Sequence, residues 1–338
     1  MAPRAFITGL SGLTLTADER AFLREARPWG LILFKRNIQD KTQVTDLIKE
    51  ALEELVADAP VLVDQEGGRV QRLGPPHWPA YPAGAAYGRL YDRDAGAGLT
   101  AARLGARLIA ADLAQLGINV DCLPLADVPV SGADRVIGDR AYGETPAKVA
   151  AIAAAIAEGL AAGGVLPVLK HIPGHGRANA DSHEKLPVVH APRATLEASD
   201  FAAFRPLKKL PLAMTAHVVF TAIDPVLPAT TSATMIGEVI RGLIGFDGIL
   251  MSDDISMGAL SGSIAERTRA AIAAGIDVVL HCNGKLDEMQ AVAAAAPELA
   301  GDASRRAVAA LAARKSAQAI DLTVARREFA AMMTEPIA

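Results

Sequence analysis

Short apolar runs with little alternation between apolar and polar positions recur along the chain. Eight of them stand at 5–9, 30–34, 60–64, 118–121, 166–170, 211–217, 248–252 and 277–281. Runs near five residues long without alternation predict strands buried on both faces. Between them lie Ala-rich stretches of helical period. The clearest is 145–163, where Thr145 offers an N-cap and Pro146 suits the first helical position. Val149, Ile152, Ile156 and Leu160 then form one apolar stripe, and Gly163 is expected to supply a left-handed stop. The stretch 264–275 reads in the same way. Strand alternating with helix through all eight runs predicts a parallel sheet closed into a single (β/α)8 TIM barrel, an α/β fold. An open doubly wound sheet is the structural alternative, but no G-x-G-x-x-G follows the first or second run.

Composition narrows the class. At 338 residues the chain is long enough for two ordinary domains or one large barrel. Apolar residues make up 51 %, which supports a large core and excludes a disordered chain. Charged residues are 21 % and the net charge is −4, which gives nucleic acid no basic face to bind. Cys122 and Cys282 are too few for a disulfide framework, so a reducing, cytoplasmic setting is expected. The first residues show no secretory h-region. The most apolar stretch, 149–169, is broken by Glu158, paired glycines and Pro167, so no membrane partner is expected.

In a barrel of this kind chemistry sits where the strands end. The third run ends in Asp64, followed by Gln-Glu-Gly-Gly-Arg-Val-Gln-Arg. The fourth leads to Asp121 and on to Ile-Gly-Asp-Arg at 137–140. The fifth ends in Lys170-His171, the sixth in His217, the seventh in Asp253-Asp254 and the eighth in His281. Ionisable groups at one end of otherwise apolar strands define a candidate pocket. After Lys170, Asp181 and His183 stand two apart and in an extended backbone would project to the same side. A carboxylate there fixes the imidazole tautomer and favours its protonated form, which makes a general acid/base couple. His171 and His175 have helical metal-ligand spacing, but Pro173 and two glycines oppose a helix, so no metal is expected. Asp253 and Asp254 are adjacent, so only one can face a central site. One carboxylate plus a separate acid/base suits displacement at an acetal carbon through a covalent intermediate.

Lys-His-Ile-Pro-Gly-His-Gly with Asp-Ser-His resembles the signature of glycoside hydrolase family 3, more narrowly its bacterial β-N-acetylglucosaminidase branch. Asp-Gln-Glu-Gly-Gly-Arg-Val-Gln-Arg-Leu, Ile-Gly-Asp-Arg and Met-Ser-Asp-Asp-Ile-Ser-Met are similar to the same branch and stand in the same order. The resemblance implies one catalytic barrel over 1–338, without the second domain of many family members. It implies retaining hydrolysis of terminal β-linked N-acetylglucosamine, with Asp253 as nucleophile, His183 as acid/base and Asp181 as its partner. Asp64, Arg72, Arg140, Lys170 and His171 match positions that hold sugar hydroxyls. The implied substrate is the muropeptide N-acetylglucosamine–1,6-anhydro-N-acetylmuramic acid, with or without peptide, cleaved in the cytoplasm during cell-wall recycling. No cofactor is implied, and the chain is expected to act as a monomer. The loop 172–183 is expected to be mobile.

The chain departs from the family pattern at Ile172, Ser182 and the Gly-Ala-Leu after Met257, which is shorter than usual. Three readings stay open at this point. A metal-dependent amidohydrolase barrel also places His and Asp at strand ends. A non-catalytic sugar-binding protein needs Arg72, Lys170 and His171 but not the acid/base set. A phosphorylase uses the same residues with phosphate in place of water.

Overall fold

The computed structural model describes residues 2–55 and 58–334; the extreme ends of the expected 1–338 range lie outside it. Strands β1 (Arg4–Gly9), β2 (Pro28–Leu33), β3 (Val61–Val63), β4 (Val120–Asp121), β5 (Leu166–Ile172), β6 (Leu212–Thr215), β7 (Ile249–Asp254) and β8 (Val278–His281) form a closed barrel. Each strand pairs in parallel with its neighbours in sequence, and β8 returns to β1 through Phe6–Val279. Every predicted run overlaps one of these strands.

The absence of alternation has a direct cause. Ile7, Ile32, Leu62, Val120, Val168, Met214, Met251 and Leu280 fill the barrel interior. Their neighbours Phe6, Leu31, Leu33, Val61, Leu169, Ala213, Leu250 and Val279 pack outward against the helices. Both faces of each strand are therefore apolar.

The expected helix is Pro146–Ala162, with Thr145 at its N-cap. Its stop differs from the expectation. Gly163 has φ −85°, and the left-handed residue is Gly164, at φ +80°. Gly163 is required for space instead: a Cβ there would lie 2.2 Å from the Ala110 Cβ of helix Ala95–Ala114. The second expected helix, Ile264–Ala274, has a capping box between Ser263 and Glu266 and ends in Gly275 at φ +110°.

Short sheets dress the C-terminal end of the barrel. Gln65–Gly67 and Val70–Gln71 pair as a hairpin after β3. Val188–Val189 pairs with Val219–Phe220 and ties the loop after β5 to the loop after β6. No helix among the described residues is long and apolar enough to cross a membrane.

Candidate active site

All eight residues to which the resemblance gives a role line one cleft of about 270 Å³ at the C-terminal end of the barrel, whereas Asp121, His217 and His281 at the other strand ends do not line it. They are Asp64, Arg72, Arg140, Lys170, His171, Asp181, His183 and Asp253.

One wall is an ion network. Lys170 Nζ, buried on β5, lies 3.0 Å from Asp64 and 2.6 Å from Glu66. Arg72 meets the other oxygen of Asp64 at 3.0 Å. Arg140 grips Glu66 with two bonds of 2.9 and 2.8 Å. Burial pushes both carboxyls up, but Lys170 with Arg72 holds Asp64 well below the usual carboxylate range. Lys170 and Arg140 do the same for Glu66. Burial alone would lower Lys170, and the two carboxylates hold it above its usual value instead. These five side chains carry three cations against two carboxylates. Asp121, beneath them, accepts one amide hydrogen bond from Gln65, and burial holds its carboxyl well above the normal range.

Lys170→Met is expected to lower unfolding free energy by about 3–5 kcal/mol, because it leaves Asp64 and Glu66 as buried charges without Lys170. Urea denaturation measures the loss.

His171 Nδ1 bonds Asp127 Oδ2 at 2.8 Å, which leaves Nε2 for the cleft. The same carboxylate accepts the His175 amide at 2.7 Å. Burial opposes ionisation of Asp127, but His171, through charge and hydrogen bond, pulls its pKa down to about 2. His175 Nε2 lies 3.2 Å from Ser182 Oγ. Burial, with His171 beside it, lowers the His175 pKa from 6.5 to about 4. Between about pH 6.5 and 4 the unfolded chain binds a proton that native His175 refuses, so stability falls as pH falls through that window. The slope from this one group is at most about 1.4 kcal/mol per pH unit. His217, also buried with its pKa lowered, adds to it. His175→Gln is expected to flatten the decline, as read by melting temperature against pH.

The two neighbouring aspartates at the end of β7 separate clearly. Asp254 accepts bonds from Ser256 N at 3.0 Å, Ser256 Oγ at 2.7 Å and Cys282 N at 3.2 Å, so its carboxylate is occupied by the fold. Asp253 Oδ1 accepts the Asp254 amide at 2.8 Å. Burial raises the Asp253 carboxyl, but His217, His171, the Asp254 amide and His183 outweigh it and keep the group below its usual value. It is therefore ionised near neutral pH. His217 Nε2 donates to the Asp254 carbonyl at 3.0 Å, and its Nδ1 pairs with Thr230 Oγ1 at 2.7 Å, which fixes the strand end.

His183 Nδ1 bonds Asp181 Oδ1 at 2.8 Å, and the same oxygen accepts the His183 amide at 2.9 Å. The expected pair is formed, but not in an extended backbone. The segment is a turn, closed by the amides of Glu184 and Lys185 on the Asp181 carbonyl at 3.1 Å. Burial opposes ionisation of Asp181, and the bonds from His183 reverse that and lower its pKa. Nδ1 is taken, so Nε2 is the ring atom left for proton transfer.

Sequence reasoning missed two groups. Glu66 stands in the sequence only as part of a motif, yet it anchors Arg140 and Lys170. Asp127 orients both His171 and the loop start. Its one signal is a lone charge inside the apolar stretch 123–130.

A closed parallel barrel with carboxylates, cations and an Asp–His couple converging on one cleft fits a glycoside hydrolase. The family description "Glycosyl hydrolase family 3 N terminal domain" matches residues 8–314. The chain is similar to a beta-hexosaminidase of Alkalilimnicola ehrlichii, 41 % identical over 281 residues, covering 81 % of this chain and 79 % of that one. A beta-hexosaminidase of Aromatoleum aromaticum is 39 % identical over 279 residues, covering 81 % and 78 %. Among solved structures, NagZ from Neisseria gonorrhoeae in complex with N-trifluoroacetyl-D-glucosamine superposes with a TM-score of 0.89 at 31 % identity, over 99 % of both chains. The chain belongs to glycosyl hydrolase family 3. Within that family it falls with the NagZ-type beta-hexosaminidases.

Proposed function

We propose that this beta-hexosaminidase is a retaining enzyme that removes terminal β-linked N-acetylglucosamine from cell-wall muropeptides in the cytoplasm, acting as a monomer. The substrate is N-acetylglucosamine joined to 1,6-anhydro-N-acetylmuramic acid, with or without its peptide. The barrel serves as the catalytic domain, since the residues given a role line its cleft. The observation that carries the reading is that ionised Asp253 and the Asp181–His183 couple line the same cleft. The neighbour that holds an N-acylated glucosamine analogue across the same fold supports the sugar assigned.

In the first step an Asp253 oxygen bonds to the anomeric carbon. The glycosidic bond breaks with its electron pair on the departing oxygen, which takes the proton from His183 Nε2. In the second step water attacks the same carbon and gives a proton to neutral Nε2, and Asp253 leaves as a carboxylate. Asp181 holds Nδ1 throughout and fixes the orientation of the ring. Asp64, Arg72, Arg140, Lys170 and His171 bind the sugar hydroxyls, and their bonds to one another, to Glu66 and to Asp127 fix them before substrate arrives. The loop 172–183 opens to release product, and on closing its last turn returns to the contacts that hold His183 over the cleft.

Product analysis tests the whole reading. The disaccharide N-acetylglucosaminyl-anhydro-N-acetylmuramic acid is incubated with and without phosphate, and products are followed by NMR. Free N-acetylglucosamine appearing first as the β-anomer in both buffers is expected. Sugar-1-phosphate as the main product, an α-anomer, or no cleavage would overturn it.

A further inference from the structure

The His183 side chain is 69 % exposed, so the backbone beneath it sets its place over the cleft. Contacts from outside the turn hold that backbone. Ser182 Oγ meets His175 Nε2 at 3.2 Å. The Gly258 amide donates to the His183 carbonyl at 3.2 Å, and the Ala259 amide donates to the Ser182 carbonyl at 3.1 Å.

Gly258 and Ala259 belong to the segment that follows Asp253, and this segment is anchored in turn. Arg267, on helix Ile264–Ala274, donates through Nη1 to the carbonyls of Ile255 at 2.8 Å and Met257 at 3.2 Å. Its Nε donates to the Gly262 carbonyl at 2.9 Å. Ser256 closes the near end on Asp254. The approach between the two segments depends on glycine. A Cβ at position 258 would sit 2.8 Å from the carbonyl oxygens of both His183 and Glu184, closer than a side-chain carbon tolerates against backbone.

We propose that Gly258 and Arg267 are positioning residues that fasten the turn carrying His183 to the segment carrying Asp253. Proton donor and nucleophile are then kept in register by backbone hydrogen bonds. The proposal rests on His183 being the acid/base. Neither residue touches the sugar; they act by fixing where Nε2 stands. A displacement of about 1 Å at a reacting group costs on the order of 10²-fold in rate. That cost falls on steps that need the proton and spares attack by Asp253 on a substrate whose leaving group needs none.

The test compares two β-N-acetylglucosaminides, one with an alkyl leaving group and one with a strongly acidic phenol. kcat/KM is measured for the wild type, Gly258→Ala, Arg267→Ala, Arg267→Lys and His183→Ala, with melting temperatures alongside. Gly258→Ala and Arg267→Ala are expected to lose roughly 10²-fold on the alkyl substrate and far less on the aryl one. Arg267→Lys, which keeps one donor, is expected to recover part of the loss. Equal losses on both substrates, or no loss on either, while His183→Ala stays selective, would overturn the fastening role alone. If His183→Ala itself shows no selectivity, both the acid/base assignment and this proposal fall. Should Gly258→Ala not fold, the arginine pair decides the question.

Discussion

Asp253→Ala is expected to lower kcat by on the order of 10⁴-fold or more on every substrate, whatever the leaving group, because the bond-forming atom is gone. Sugar binding should survive. The network of Asp64, Glu66, Arg72, Arg140 and Lys170 closes on itself and does not use Asp253 as a partner. Fluorescence or calorimetric titration with N-acetylglucosamine measures binding, and a coupled assay measures turnover. Asp254→Ala is a different lesion. It frees the Ser256 and Cys282 amides and loosens the strand end, so it should act on stability as well as rate. A larger rate loss at 254 than at 253 would reverse the two roles.

His183→Ala should separate substrates that Asp253→Ala does not. General acid catalysis contributes about 10²–10⁴-fold where the leaving group is poor. An alkyl or sugar leaving group should suffer the full loss in kcat/KM. An aryl group that departs as a stable phenolate should suffer little in that parameter, since bond cleavage no longer needs the proton. Asp181→Asn should fall between, because the imidazole stays in place while its charged partner is removed. Uniform losses across leaving groups would assign the proton transfer to another residue.

The barrel was legible because all eight strands are buried on both faces, which leaves an unmistakable run of apolar residues. The Asp181–His183 pair was legible because it is local, though the turn that forms it was not: its closing bonds run to the Asp181 carbonyl, and the backbone offers no side-chain signal. Charge partners distant in sequence were hidden. Arg140 finds Glu66 and His171 finds Asp127 only because barrel closure brings their loops together. Gly163 looked like a helix stop, but its small size is used against Ala110. Gly258 looked like part of a shortened loop, and its meaning emerged only from the carbonyls it faces.

The central claim is that Asp253 bonds covalently to the sugar. A 2-deoxy-2-fluoro or 5-fluoro glycosyl donor slows breakdown of that bond, so the adduct accumulates and can be mapped by mass spectrometry after digestion. The expected result is a single glycosylated peptide with the label on Asp253, and none in Asp253→Ala. A label on Asp254 or elsewhere, or no label in a preparation that turns over natural substrate, would contradict it.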